Sequence, residues 1–407
     1  MKASSIEREE LSVLTGFNAN IDHIYDFDAI DVDLESVESE LMERVEGPEE
    51  LKQVLSHCVE TGENVEVLGR YMAKEFPEAN RQLGGQGGII AEFMNRTGNY
   101  SIFYTPFLSK ELADMMSEEI VYPVIDSGLK LKRIKDAVNT DRTKENMIVE
   151  IDGEKTCRMI VSDRLEGFGP YFRKGIEERI ETLDRNIDAA VLSGFHDADG
   201  NFSAKIDKAE IQIGLLNTPA HLEYVDMQEK KSKKILRDLL PEFDSVGLDE
   251  NEALEVAEIK GMDVEDELSL GEAFQLSKRL LEDVDRVHIH TYRYHVVFAD
   301  DYDIRPEKIR ESMLYAENCA IAAADTGELP DTDDLRELGL EGKHLHRLDD
   351  LEDFAHHLGL EDFVETGIAD INDITVVAIP TLIHEDPERV VGLGDIISSA
   401  AFTAELG

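Results

Sequence analysis

Val390-Val391-Gly392-Leu393-Gly394-Asp395, continued by Ile396 to Leu406, joins a strand pattern to a helix pattern through two glycines. Before it, Thr375 to Ile379 (TVVAI) is β-branched and apolar, which predicts a buried strand. After it, Ile397, Ala400, Ala401 and Ala404 recur at helical spacing. A Gly-x-Gly lets backbone N–H groups approach an anion closely, and the following helix points its positive end at the same place. Asp395 stands at that mouth, where a carboxylate can accept the proton of an attacking hydroxyl. It reads equally as an ordinary N-cap, since Asp is favoured there and Gly is common in turns.

Working outward, strand and helix patterns alternate along most of the 407 residues. That alternation predicts an α/β fold with a doubly wound, mostly parallel sheet, whose ligands sit at the carboxyl ends of its strands. The chain is long enough for one large domain and a smaller one. Ser12 to Gly16 reads as a first strand that delivers Asn18, Asn20 and Asp22. These alternate with apolar residues, so an extended backbone turns all three to one side, where they suit a polyhydroxylated ligand or a plain Asx-rich turn. Asp31 to Cys58 reads as acidic helix interrupted at Gly47-Pro48, and Val65 to Leu68 as a strand with Glu66 opposite its apolar face. Gln82-Leu83-Gly84-Gly85-Gln86-Gly87-Gly88 reads as a loop whose glycines allow close approach, followed by a helix starting near Ile89. No Gly-Lys-Ser/Thr follows, so it is not a Walker motif.

Met147 to Asp152 and Lys155 to Ser162 read as a hairpin turning at Asp152-Gly153 and carrying Arg158, with Arg164 just beyond. It is either a lid element or a solvated edge. His221-Leu222-Glu223 lies in an extended segment, and Ile211 to Leu216 is taken to continue the strand alternation. Asp249-Glu250-Asn251-Glu252 opens a helix, where acids usually complement the dipole. His288 and His290 share one face of a strand without a third ligand at metal spacing, so hydrogen bonding is expected of them rather than zinc.

Composition narrows the classes. There are 89 acidic and 41 basic residues, a formal net charge of −48. Such a charge repels nucleic acid and anionic membranes, and it destabilises a compact chain unless salt screens it. The acids are spread between apolar periodic segments, which points to a folded protein from a high-salt cytoplasm. The three cysteines, Cys58, Cys157 and Cys319, form no metal or redox spacing. No signal-peptide pattern or membrane span is read, so a cytoplasmic location is expected.

Taken together, GFNANID (Gly16 to Asp22), LGGQGGII (Leu83 to Ile90), YTPFLSK (Tyr104 to Lys110), HLE (His221 to Glu223), DSVGLDENE (Asp244 to Glu252), RVHIHTY (Arg286 to Tyr292) and VGLGDIISSAAF (Val391 to Phe402) resemble the archaeal ADP-dependent sugar kinases, glucokinase and 6-phosphofructokinase, within the ribokinase-like superfamily. The resemblance spans nearly the whole chain. It implies a ribokinase-like large domain (1–17, 80–122 and 166–407) and an α+β lid (18–79 and 123–165). It implies transfer of the β-phosphate of ADP to a hexose or hexose phosphate, giving AMP, with fructose 6-phosphate or glucose as acceptor. By motif, Asp395 would be the base, with Gly392 and Gly394 framing the anion hole. Glu223 and Glu252, with Asp395, would organise Mg2+ through water. Asn18, Asn20, Asp22, Gly85 and Gln86 would hold the sugar, Arg158 and Arg164 a sugar phosphate, and Glu66 would be the lid Glu of glucose-using members. The family usually has Thr where Ile396 stands, Arg where Leu382 stands and Asn where Asp249 stands. The alternatives are an ATP-dependent kinase on the same fold and a catalytically silent sugar- or nucleotide-binding homologue. The expected partners are small molecules, with the chain a monomer or small homo-oligomer.

Overall fold

The computed structural model describes residues 10–30, 32–34, 37–69, 79–137, 141–151, 157–337, 343–346, 348–385, 387–388 and 392–407. An 11-stranded sheet forms its centre. In spatial order the strands are Ile368–Ile371, Ile374–Pro380, Tyr294–Ala299, Arg286–His290, Ser245–Asp249, Ala220–Glu223, Ala189–Leu192, Ser12–Gly16, Tyr100–Tyr104, Val121–Ile125 and Leu129–Arg133. From Arg286–His290 to Val121–Ile125 all pairings are parallel, and antiparallel strands finish both edges.

The short apolar runs exist because both faces of this sheet are covered. Adjacent residues of one strand enter different cores. Val13, Ala189 and Val191 pack with Ile89, Phe93, Ile309 and Phe402 from the helices Gln86–Arg96, Pro306–Thr326 and Leu393–Leu406. Leu14, Ala190 and Leu192 pack on the other face with Ile206, Val256 and Leu276, from the helices Phe202–Ile213, Glu250–Ile259 and Leu270–Leu280. The central strands, such as Ala189–Leu192, Ala220–Glu223 and Arg286–His290, are therefore buried throughout, so simple polar alternation is absent from them.

A 6-stranded sheet forms the second layer, in the order Arg44–Val45, Val65–Gly69, Cys157–Asp163, Lys144–Ile151, Asn20–Asp26, Asn80–Gly84. Here alternation is clean. Val65, Val67, Met147, Val149, Met159 and Val161 pack on the helix Pro48–Thr61. The intervening residues, among them Glu66, Asn146 and Arg158, occupy the other face. The hairpin has the expected antiparallel pairing, with Cys157 opposite Ile151, and its turn at Asp152-Gly153 lies outside the described residues.

Several expectations change. Among the described residues of the stretch expected to be helical, helix begins only at Pro48 and runs to Thr61, while Arg44–Val45 pairs with Leu68–Gly69 and buries Val45 in the small core. Asn80–Gly84 pairs with Asn20–Asp26, so it belongs to the small sheet, while Val121–Ile125 and Leu129–Arg133 belong to the large one. The expected boundary at 80 thus precedes a strand of the small sheet, and that at 123 lies within a strand of the large one. Ile211 to Ile213 are helical, since Ile213 is needed in the large core while Ile211 is exposed. Gly87 and Gly88 lie inside the helix Gln86–Arg96.

Candidate active site

Three parallel strands, Ala220–Glu223, Ser245–Asp249 and Arg286–His290, end beside the helix Leu393–Leu406. Gly392 caps that helix with φ 75°, a conformation that glycine adopts without strain. The helix therefore starts earlier than the sequence reading placed it. Asp395 sits inside the first turn and is not the N-cap. The N–H groups of Leu393 and Gly394 precede the first internal helix bond, which Ile396 N makes to Gly392 O at 3.1 Å. Gly394 faces His290, whose Cε1 would stand 2.9 Å from any Cβ added there. Val390 and Val391 lie outside the described residues.

Glu223 ends its strand fully buried. Burial pushes its carboxyl well above the usual range, and the charge of Asp395 adds to this. Glu252 is buried in the first turn of Glu250–Ile259, where its Oε2 accepts the Asp249 backbone N–H at 2.8 Å and Asp249 Oδ1 accepts the Glu252 N–H at 2.8 Å. This is a capping box. Burial raises the Glu252 carboxyl, with Asp249, Glu223 and Asp395 pushing the same way. Mutually repelling carboxylates around a helix N-terminus call for a cation. Among the described residues, no group of three His, Cys, Asp or Glu is arranged to hold a metal ion directly. The donor set fits magnesium bound mostly through water, which needs only one or two carboxylates besides phosphate oxygens.

The sequence reading missed the groups behind Glu223. His221 Nε2 lies 3.2 Å from Glu223 Oε2 and 2.8 Å from Ser398 Oγ. Its Nδ1 lies 2.8 Å from Ser245 Oγ, which in turn accepts from Arg286 Nη1 at 3.0 Å. Arg286 is wholly buried and bidentate with Glu405, at 2.8 and 2.6 Å, and this partner holds its guanidinium pKa above the ordinary value despite burial. A polar pair at the start of a strand and the end of a helix carries no local motif, so only the fold joins them. The hydrogen bonding expected of His288 is not made: neither ring nitrogen has a partner, and the ring lies 5.7 and 6.3 Å from those of His290 and His295.

The second half of the site lies where the chain crosses from the large sheet to the small one. Asn18 is buried at this crossing, and its Oδ1 accepts from Gly87 N at 3.0 Å and Ser193 Oγ at 2.9 Å. A Cβ at Gly87 would stand 2.8 Å from Asn18 O. Here the glycines serve close approach to the chain's own backbone. Asn20 and Asn146 both donate to Asp22 Oδ1, and burial raises the Asp22 carboxyl. Gly85 caps the next helix at φ 78°, and Gln86 Nε2 reaches Tyr224 O at 3.4 Å, beside Glu223. The two halves meet there.

A cleft lined by Asn18, Lys144, Arg164, Phe168 and Asp197 opens between the sheets. Lys144 Nζ bonds Asp197 at 2.9 and 3.1 Å, while Arg164 and His196 stand 3.7 and 3.6 Å from the same carboxylate. Burial alone would raise Asp197, but the charges of Lys144, His196 and Arg164 hold it well below the carboxylate range. Glu66 is exposed, 3.7 Å from Arg164. Arg158 shares the small sheet's open face, with its guanidinium taken by Glu150 at 2.6 Å. Asn146 Oδ1, Gln86 Oε1, Ser162 Oγ, Arg164 Nε and His196 Nδ1 are buried without hydrogen-bond partners. Buried polar atoms are rarely left unpaired, and this many near one cleft fits a polar ligand. Lys144, His196 and Asp197 were not singled out from sequence. The pair His196-Asp197 sits in a loop after a predicted strand, which is the signal that marks it in an α/β sheet.

Residues 11–404 match the family described as ADP-specific Phosphofructokinase/Glucokinase conserved region. The chain is 27% identical to the ADP-specific phosphofructokinase of Pyrococcus abyssi, covering 97% of each protein. It superposes on the crystal structure of a hypothetical ADP-dependent phosphofructokinase from Pyrococcus horikoshii with a TM-score of 0.84, at 25% identity and 98% coverage of both chains. It also matches a structure of an ADP-dependent kinase in complex with fructose-6-phosphate and ADPbetaS, with a TM-score of 0.82, 26% identity, and coverage of 97% of this chain and 93% of that one.

Proposed function

The chain belongs to the ADP-specific phosphofructokinase/glucokinase family, and we propose that it transfers the β-phosphoryl group of ADP to a hydroxyl of a hexose or hexose phosphate, releasing AMP. The carrying observation is Asp395 in the first turn of a glycine-capped helix, electrostatically coupled to two buried carboxylates. In this reading Asp395 accepts the proton of the attacking hydroxyl. The first N–H groups of the helix, framed by Gly392 and Gly394, with its positive end, take up negative charge on the phosphoryl oxygens. Glu223 and Glu252, with Asp395, would hold Mg2+ through water. When bound, the ion neutralises charge on the phosphates.

Asn20, Asp22, Gly85 and Gln86 orient the sugar ring at the crossing, with Asn18 fixing the crossing itself. Lys144 and Arg164 face an acceptor phosphate, while Arg158 is held by Glu150. Fructose 6-phosphate is thus the favoured acceptor, as it is the sugar in one structurally similar kinase complex. Glu66 beside Arg164 supplies a hydroxyl acceptor and keeps glucose within range. The purine seats in the cleft lined by Tyr292, Arg293 and His346 together with Glu267, Asp349, Asp350 and Asp353, where Tyr292 presents an exposed ring to stack on. The compartment is a reducing cytoplasm, consistent with three free buried cysteines.

The test is a donor-by-acceptor assay. ADP, ATP and pyrophosphate are offered against fructose 6-phosphate and glucose in molar potassium chloride. AMP formation from ADP and sugar is expected, and Asp395→Asn should lose about 10²–10⁴-fold in turnover while keeping its fold. Normal turnover in that variant, or ATP used in preference to ADP, would overturn the reading.

A further inference from the structure

The buried polar chain behind Glu223 has a direction. Arg286 can only donate hydrogen bonds. Its Nη1 donates to Ser245 Oγ at 3.0 Å, so the Ser245 hydroxyl has one proton left to give. Its neighbour at 2.8 Å is His221 Nδ1, and a bare Nδ1 takes that proton. The opposite tautomer would aim two donors at Ser245 and leave the serine proton without this acceptor. The plane of the imidazole is fixed by stacking on Phe402, at 5.0 Å and 27°. The remaining proton sits on Nε2, facing Ser398 Oγ at 2.8 Å and Glu223 Oε2 at 3.2 Å.

We propose that Arg286, acting through Ser245, is a positioning residue for phosphoryl transfer: it fixes His221 as the Nε2–H tautomer, which orients Glu223 and Ser398 beside Asp395. Glu405 anchors Arg286 from the last turn of the helix that carries Asp395 in its first. Both ends of that helix are thereby registered against the strand ends that bear the carboxylates. The part concerning catalysis rests on the kinase reading above, and the part concerning the tautomer does not.

The test combines side-chain nitrogen NMR of the metal-free, substrate-free protein with kinetics. The His221 signals are assigned by their loss in His221→Gln. Wild type should show Nε2–H. Ser245→Ala should shift His221 toward Nδ1–H or a mixture, lower turnover about 10–100-fold, the range for residues that orient metal-organising groups, and leave the sugar KM within about twofold. Ser398→Ala should keep the Nε2–H tautomer, because Ser398 does not set it. A wild-type Nδ1–H imidazole, an unshifted tautomer in Ser245→Ala, or full turnover in that variant would overturn the proposal. An Nε2–H imidazole in a protein with no turnover on any donor would uphold the tautomer and sink the kinase reading.

Discussion

Gly247 lies in the middle of the three-way contact between Ser398, Glu223 and His221. A Cβ there would stand 2.9 Å from both Glu223 Oε2 and His221 Nε2, and closer still to Ser398 Oγ. Ordinary carbon–oxygen contacts need about 3.3 Å or more, so Gly247→Ala forces the flexible serine hydroxyl to swing away. The carboxylate and ring must also yield by a few tenths of an ångström. Folding loses one buried hydrogen bond, about 1–3 kcal/mol. Catalysis loses more, because misplacements on the scale of 1 Å can cost about 10²-fold. The expectation is a modest fall in melting temperature and a fall of about 10–100-fold in AMP formation, with the sugar KM little changed. Gly247→Ala with Ser398→Ala should be less damaged than the two single effects combined, since the serine hydroxyl no longer occupies the space. Turnover near wild type in Gly247→Ala, with the same melting shift, would refute the claim that this contact shapes the reacting site.

Further outcomes follow from other groups. Burial raises the Glu317 carboxyl from an ordinary 4.5 to about 8. Between those values the folded chain keeps a proton that the unfolded chain has released, so stability falls as pH rises through this window. The melting temperature of Glu317→Gln should therefore gain on wild type from pH 5 to pH 8, and a constant difference would count against it. Lys144→Met should raise KM for fructose 6-phosphate about tenfold or more and affect glucose less, as expected for one charged hydrogen bond to a phosphate; equal effects on both sugars would remove Lys144 from the phosphate site. The net charge of −48 predicts a melting temperature that rises as potassium chloride is increased from about 0.1 M, by screening of self-repulsion. A flat salt profile would refute the high-salt reading.

Local patterns settled much of this protein. Short β-branched runs separated by helical periods specify a doubly wound sheet, because a strand buried on both faces has few other compositions open to it. The Asp152-Gly153 turn between two apolar runs marked the hairpin of the small sheet, whose antiparallel pairing the structure shows. Glycines near Gly85 and Gly392 marked two loops that lead into helices, and the structure makes these two residues the caps. What the periodicity misjudged was set by competition between distant segments. Residues after Asp31 look helical alone, yet sheet pairing draws Arg44 and Val45 to the edge. The glycines after Gly85 look made for a ligand, yet they lie against Asn18.

The Gly-Leu-Gly-Asp segment shows the same division. Sequence placed an acid beside a glycine turn at the start of a helix, because backbone chemistry is local. It left Asp395 undecided between cap and base, and the fold places it inside the first turn, with Gly392 as the cap. The groups behind its neighbour Glu223, namely His221, Gly247, Ser245 and Arg286, come from three strands with no shared spacing. Hydrogen-bond direction and close packing are properties of atoms brought together across the sheet, and only the tertiary structure fixes them.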